Sequence, residues 1–263
     1  MKYFKIKSYA KINISLGILG KIKKIHKIES LFSFIKLHDE ILIKKISNKN
    51  HKVIFDGKFS KGINKNNTIL KLLNLLEAKL HGQKYFIKVK KNIPQKSGMG
   101  GGSMNASCLL KFLNKTENLY LSFREIKKIT SKIGSDVILG MQKKNSILYG
   151  TGKFRNLKKK INFYIVLVKP NFGCSTKAIY NKVKYYSKPI FKINKRTNIN
   201  NKFLSNLSND LEKPAFKKYP MLKKIKLFME KIDNILFVNM TGSGSTIVGY
   251  FNTKKNALNA IKK

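Results

Sequence analysis

Acidic residues are scarce in this chain. Its 12 Asp and Glu face 56 Lys and Arg, a formal net charge of +44. Such an excess points first to nucleic acid. Two features argue against that as the selected partner. Arginine, the better reader of bases, stands only at Arg124, Arg155 and Arg196. The lysines run through every segment instead of gathering in one stripe, and they travel with abundant isoleucine and asparagine, as compositional drift would leave them. Nonspecific binding of polyanions at low salt is expected; a specific nucleic-acid partner is not. Cysteine is nearly missing as well: Cys108 and Cys174 give neither a disulfide framework nor a metal-binding spacing. His26, His38, His51 and His81 are scattered, with no ligand pair at helical spacing. No apolar run approaches the roughly 20 residues that a membrane span requires. The opening residues alternate like a strand and hold no signal-peptide core. The expectation is a cytoplasmic protein without a membrane partner.

Against these shortages, glycine is concentrated in one stretch, Pro94-Gln95-Lys96-Ser97-Gly98-Met99-Gly100-Gly101-Gly102-Ser103-Met104-Asn105-Ala106. A strand-like run (residues 85–90) precedes it and a helix-like run (103–113) follows. Glycines free the backbone to take positive φ. A glycine loop opening a helix turns several N–H groups toward one point, where the helix dipole adds partial positive charge. Such a place suits phosphate. It is not a Walker A motif, because no lysine stands between Gly102 and Ser103. Nor does the acidic residue of a dinucleotide fingerprint follow it.

At 263 residues and 42% apolar, the chain is long enough for one large domain or two packed lobes. Residues 2–8 and 11–19 read as strands. Lys11 and Asn13, two apart, project from one strand face, where they are either solvated surface or a site. Residues 30–35, 40–43 and 52–55 read as further strands. An amphipathic helix runs from Asn67 to about His81. Ser122 and Glu125 form a capping box for a helix that stops near Gly134. Asp136 either caps the next short helix or, as one of few carboxylates, serves as a proton acceptor. Gly150-Thr151-Gly152 reads as a turn. Residues 162–168 form a buried strand that opens a second lobe, 175–180 begin a helix, and 186–205 are a loop or insert. A helix at 221–232 and a strand at 235–240 lead to a second glycine turn, Thr241-Gly242-Ser243-Gly244-Ser245-Thr246. A strand at 247–251 and a terminal helix complete the chain.

Three separated stretches, Ala10-Lys11-Ile12-Asn13, Pro94 to Ala106 and Thr241 to Thr246, resemble in order and distance the three motifs of the GHMP kinases (galactose, homoserine, mevalonate and phosphomevalonate kinases). His26 followed by Phe32, Gly134-Ser135-Asp136-Val137, Phe172-Gly173-Cys174-Ser175-Thr176 and Asn209-Asp210-Leu211-Glu212 add to the likeness, which covers nearly the whole chain. It implies a two-lobed α+β fold, residues 1–158 and 159–263, with the active cleft between the lobes. It also implies ATP-dependent phosphorylation of the 2-hydroxyl of cytidine diphosphate methylerythritol, with Mg²⁺ carried by ATP and Ser103 a candidate for its shell. The protein would be a monomer or homodimer. A homoserine or mevalonate type of kinase is the alternative, and a basic nucleic-acid-binding protein on this scaffold a more distant one.

The resemblance assigns roles residue by residue. Lys11 and Asp136 would be catalytic. Pro94, Ser97, Gly98, Met99, Gly100, Gly101, Gly102, Ser103 and Asn105 would hold ATP, with Gly242, Ser243 and Gly244 as a supporting turn. Asn13, His26, Phe32, Thr176 and Tyr180 would bind the substrate, His26 at the polar edge of cytosine and Tyr180 on its ring. Asn67 is a candidate for the adenine pocket. The chain departs from the family twice. Lys23, Lys24 and Ile25 stand where Asp-Gly-Tyr usually precedes the histidine, which removes one aromatic face for the base, and Met104 replaces a small residue after the loop serine.

Overall fold

The computed structural model of the chain describes residues 3–23, 25–142, 145–150, 152–157, 161–191 and 199–263. Lys24, Thr151, the proposed lobe boundary at 158 and residues 192–198 of the expected insert lie outside them. In chain order the elements are β1 (Phe4–Asn13), β2 (Gly17–Ile22), β3 (Ile25–Ile46), β4 (Lys52–Asp56), α1 (Thr68–Leu76), β5 (Lys84–Lys90), α2 (Gly101–Thr116), α3 (Phe123–Ile133), β6 (Ser146–Gly150), β7 (Lys153–Asn156), β8 (Tyr164–Val168), α4 (Thr176–Tyr180), α5 (Asn201–Ser205), α6 (Glu212–Lys218), α7 (Pro220–Glu230), β9 (Phe237–Met240), β10 (Ile247–Phe251) and α8 (Lys254–Ile261). Short 3-10 turns occupy Glu77–Leu80 and Val137–Met141.

Two compact units interleave along the chain. The first comprises Met1–Lys11, Phe34–Gln95 and Gly100–Lys143; the second comprises Ile12–Ser33, Lys96–Met99 and Lys144–Lys263. The glycine loop is therefore divided, Lys96–Met99 belonging to the second unit and Gly100 onward to the first.

In the first unit, β5 lies antiparallel to the second half of β3, with Ile41 opposite Val89 and Ile43 opposite Ile87, and β4 pairs parallel to β5 on its other edge. Those four apolar residues are fully buried on one sheet face, as the period of two requires. α1 covers that face with Ile69, Leu72, Leu73 and Leu76, spaced as an amphipathic stripe. Leu109, Leu110 and Leu113 of α2 and Ile129 of α3 complete the core. Truncating one of the fully buried leucines to alanine costs about 2–5 kcal/mol. The helix termini follow the sequence signals. Asn67 accepts from the N–H of Ile69 and Leu70 to start α1, and the capping box of Ser122 and Glu125 starts α3.

In the second unit, the first half of β3 pairs antiparallel with β2 and with β6, and β6 pairs with β7. A separate antiparallel sheet has the order β8-β10-β9. β10 is central and every residue of it is buried, which is why Ile247 to Phe251 reads as an unbroken apolar run. Phe237 and Tyr250 stack across β9 and β10 with ring centroids 4.2 Å apart. Ala215 of α6, Leu222 and Met229 of α7, and Ala257 and Ala260 of α8 pack on this sheet's residues.

The structure differs from the sequence expectation in five places. The strands expected at 2–8 and 11–19 are divided elsewhere, β1 running unbroken from Phe4 to Asn13 and β2 starting at Gly17. The strands expected at 30–35 and 40–43 are one continuous β3. The basic connection at 21–26 is the hairpin end of β2 and β3, with Ile22 opposite Ile25. β6 and α6 carry too little local pattern to be read in advance. The expected loop at 186–205 closes with α5.

Candidate active site

Lys11 lies on β1 and is only 3% exposed. Its Nζ stands 3.2 Å from Asp136 Oδ2, whose side chain is 38% exposed. Asp136 occupies the N-cap position of the turn Val137–Met141, yet its side chain makes no capping hydrogen bond. The carboxylate that could have been a helix cap is instead turned to the ammonium. Gly100 adjoins the pair. It takes φ 69, and a Cβ there would lie 3.1 Å from both Cε and Cγ of Lys11. Gly100 is also the N-cap of α2 and, having no side chain, leaves the first-turn amides without a side-chain cap. The positive end of a 16-residue helix therefore starts beside the Lys11 side chain. Gly101, Gly102 and Ser103 form that first turn.

Beneath it lies a buried network with Asp39 at its centre. Asp39 Oδ1 accepts from the N–H of Asn92 at 2.7 Å and of Ile93 at 2.8 Å, while Oδ2 accepts from Asn105 Nδ2 at 2.9 Å and pairs with Lys91. The Lys91 ammonium would lie 3.2 Å from a Cβ on Gly101. Asn105, expected in the ATP group, is 1% exposed and gives its amide to this network. Asn67, the adenine candidate, has its side chain engaged at both ends, capping α1 and donating to the Lys65 carbonyl at 3.0 Å.

In the second unit, Gly98 meets the second glycine turn. Its φ is 77, and a Cβ would fall 2.0 Å from the Thr241 carbonyl oxygen, so only glycine fits. The Thr241 hydroxyl donates to the Gly98 carbonyl at 3.2 Å and accepts from the Asn13 N–H at 2.9 Å. The Asn13 side chain donates to Ser30 Oγ at 2.7 Å. Gly242, at φ 54, would carry a Cβ 3.0 Å from the Gly98 carbonyl. The Thr246 N–H donates to the Ser97 carbonyl at 3.2 Å, and the hydroxyls of Thr176 and Ser243 are 2.8 Å apart. Ser97 and Met99 are buried, so they shape the loop from within, whereas Pro94 is half-buried.

His26 and Tyr180 also come together, their ring centroids 5.1 Å apart at 47°. Burial, and then the charge of Lys21, hold the His26 imidazole below its ordinary value, so it is neutral at pH 7. A neutral ring offers one donor and one acceptor to a polar edge. Phe32 is fully buried, edge-on to Phe154 at 6.4 Å. Ile25 is 65% exposed on the same hairpin as His26.

Sequence reasoning missed two working residues. Asp39 sits in His38-Asp39-Glu40, which reads as a solvated strand end; its scarcity as an acid was the one available signal. Thr241 belonged to a quoted motif, but nothing local said that its hydroxyl would tie Asn13 to Gly98.

The GHMP kinases N terminal domain matches residues 67–144 and the GHMP kinases C terminal domain matches residues 194–263. The 4-diphosphocytidyl-2-C-methyl-D-erythritol kinase of Pelagibacter ubique is 53% identical over 97% of this chain and 92% of its own length. The enzyme of that name from Caldicellulosiruptor bescii is 33% identical over 98% and 93%. Among solved structures, a 4-(cytidine 5'-diphospho)-2C-methyl-D-erythritol kinase superposes with a TM-score of 0.77 at 22% identity, covering 98% of this chain and 94% of that one. The homoserine kinase of Cytophaga hutchinsonii superposes with a TM-score of 0.69 at 15% identity, covering 100% and 90%. With both domains matched and a relative of such identity aligned over nearly its whole length, the chain belongs to the GHMP kinases.

Proposed function

We propose that this kinase transfers the γ-phosphoryl group of ATP to the 2-hydroxyl of 4-diphosphocytidyl-2-C-methyl-D-erythritol, the compound in the names of its relatives. The observation that carries the chemistry is the pair Lys11 and Asp136, 3.2 Å apart, with a carboxylate that does not cap its turn. Phosphoryl transfer needs little covalent work from a protein; positioning and charge neutralisation dominate. Asp136 takes the proton of the attacking hydroxyl as its oxygen bonds to phosphorus and the bond to the ADP oxygen breaks. Lys11, 3.2 Å from that carboxylate, stabilises the alkoxide as charge develops.

The uncapped amides of the α2 first turn and the loop glycines suit a triphosphate. Bound ATP supplies the phosphoryl group, and Mg²⁺ would neutralise its oxygens. Among the described residues no cluster of three His, Cys, Asp or Glu could hold a metal ion. The Ser103 hydroxyl, in the first turn of α2, is the protein group we assign to that ion's shell. His26 and Tyr180 are assigned to the cytosine, Phe32 to the lining of that pocket, and Asn13 and Thr176 to the polyol.

The test is ADP release measured with three acceptors: the cytidine compound, homoserine and mevalonate. Turnover with the first alone is expected. Turnover with homoserine or mevalonate and none with the cytidine compound would move the chain to another branch of its family.

A further inference from the structure

The segment Asn209-Asp210-Leu211-Glu212 has no place in the chemistry above, although it is among the most heavily bonded stretches of the second unit. Asn209 is 3% exposed and uses its whole amide. Its Nδ2 donates to the carbonyls of Met240 at 2.7 Å and of Gly242 at 2.8 Å, and its Oδ1 accepts from the Leu211 N–H at 3.0 Å. Glu212 Oε1 accepts from the Met240 N–H at 2.7 Å, with Lys226 Nζ at 2.6 Å from its other oxygen. Asp210 Oδ2 accepts from the Ile18 N–H and the Ser187 hydroxyl, each at 2.7 Å. Two side chains three residues apart thus hold both polar groups of Met240 and the carbonyl of Gly242.

Between those carbonyls lies Thr241, which is 0% exposed. With the carbonyls of Met240 and Gly242 held on either side of it, the Thr241 backbone is fixed where its hydroxyl accepts from Asn13 and donates to Gly98. Gly98 has no tolerance toward Thr241, because a single added carbon would stand 2.0 Å from the Thr241 oxygen. We infer that Asn209 is a positioning residue for the glycine loop: through Thr241 it sets where the Gly98 carbonyl stands, and so which way the amides that follow it face. The inference rests on the reading of that loop as the triphosphate cradle. The asparagine suits the place because two carbonyl oxygens converge on one side-chain atom, and its NH₂ group offers a hydrogen to each.

Asn209→Asp keeps the shape and volume and turns both donors into an acceptor facing two carbonyls. Thr241→Val keeps the branch and removes the hydroxyl. Binding of ATP alone is measured by titration calorimetry, with melting temperatures in parallel. Each variant is expected to weaken the Kd for ATP about tenfold or more, since loop displacements well under 1 Å are felt at a phosphate site. The double variant should be about as weak as either single one and not about a hundredfold weaker, because both act through one contact. An unchanged Kd in folded Asn209→Asp, or a loss of melting temperature alone, overturns the inference, as do additive effects. If Asn209→Asp does not fold, Thr241→Val decides by itself, an unchanged Kd counting against the relay. Gly98→Ala separates the two readings. If it weakens ATP binding while the other variants do not, only the role of Asn209 falls; if none of the three matters, the cradle reading falls too.

Discussion

Placing alanine at Gly98 is the sharpest test of the loop geometry. Two costs add. The residue sits at φ 77, where an L side chain costs about 1–2 kcal/mol. The new Cβ would also lie 2.0 Å from the Thr241 oxygen and 3.0 Å from the Gly244 oxygen, both backbone atoms that cannot rotate away. Restoring ordinary contact requires more than about 1 Å of movement, which breaks the Thr241 hydroxyl bond to the Gly98 carbonyl and strains its bond from Asn13. Each such bond contributes about 0.5–1.5 kcal/mol. The sum is about 2–4 kcal/mol, and for a chain of this size the melting temperature should fall by about 5–10 °C. A shift of that scale at a phosphate site should lower kcat/KM for ATP about a hundredfold. Gly62→Ala is the control. Gly62 takes φ 78 with nothing within 4 Å of its added carbon, so only the backbone cost applies and ATP kinetics should hold. Gly98→Ala behaving no worse than Gly62→Ala, in both melting and ATP kinetics, would refute the reasoning.

Lys11→Met should reduce kcat by about a thousandfold or more while the melting temperature changes little, because Asp136, left behind, is already open to solvent; comparable loss of fold and rate would point to a structural lysine. Ile25→Tyr should restore an aromatic face for cytosine and lower KM for the cytidine substrate about tenfold, in line with about 1–3 kcal/mol for base stacking; an unchanged KM argues that Ile25 is remote from the base. Stability should fall on the acid side of neutrality through His51. Its Nδ1 accepts from the Tyr85 N–H and its Nε2 donates to Glu77, so the neutral ring is built in. Burial lowers its value from 6.5 despite the pull of Glu77, with Lys84 adding to the lowering. A group depressed on folding is stabilising above its unfolded value, and that contribution is lost as pH drops below about 6.5. Melting curves from pH 7.5 to 5 should show this fall, and His51→Gln should flatten it.

Much of the site was legible because it is written in short local signals. Glycine density, a following helix and the lysine two before an asparagine marked the loop and β1 without long-range information. The core helix α1 and strand β10 were readable from period and from an unbroken apolar run. What escaped depends on partners far away in sequence. The continuity of β3 comes from pairing with β5 on one stretch and β6 on another, which no local preference encodes. Asp136 was ambiguous because capping and catalysis require the same residue type; the absence of a cap bond and the presence of Lys11 decide its orientation. Asp39 and Asn209 were illegible as contributors because their partners, Lys91 with Asn105 and Met240 with Gly242, lie tens of residues away.

The measurement closest to the central claim is single-turnover phosphorylation of the cytidine substrate by Asp136→Asn, beside the unaltered chain and with ATP and acceptor both saturating. The substitution keeps the shape and removes the proton acceptor. The chemical step should slow by about a thousandfold or more with both ligands still bound. A rate within a few-fold of the unaltered enzyme would mean that the proton leaves by another route and that the pair of Lys11 and Asp136 is not the catalytic one.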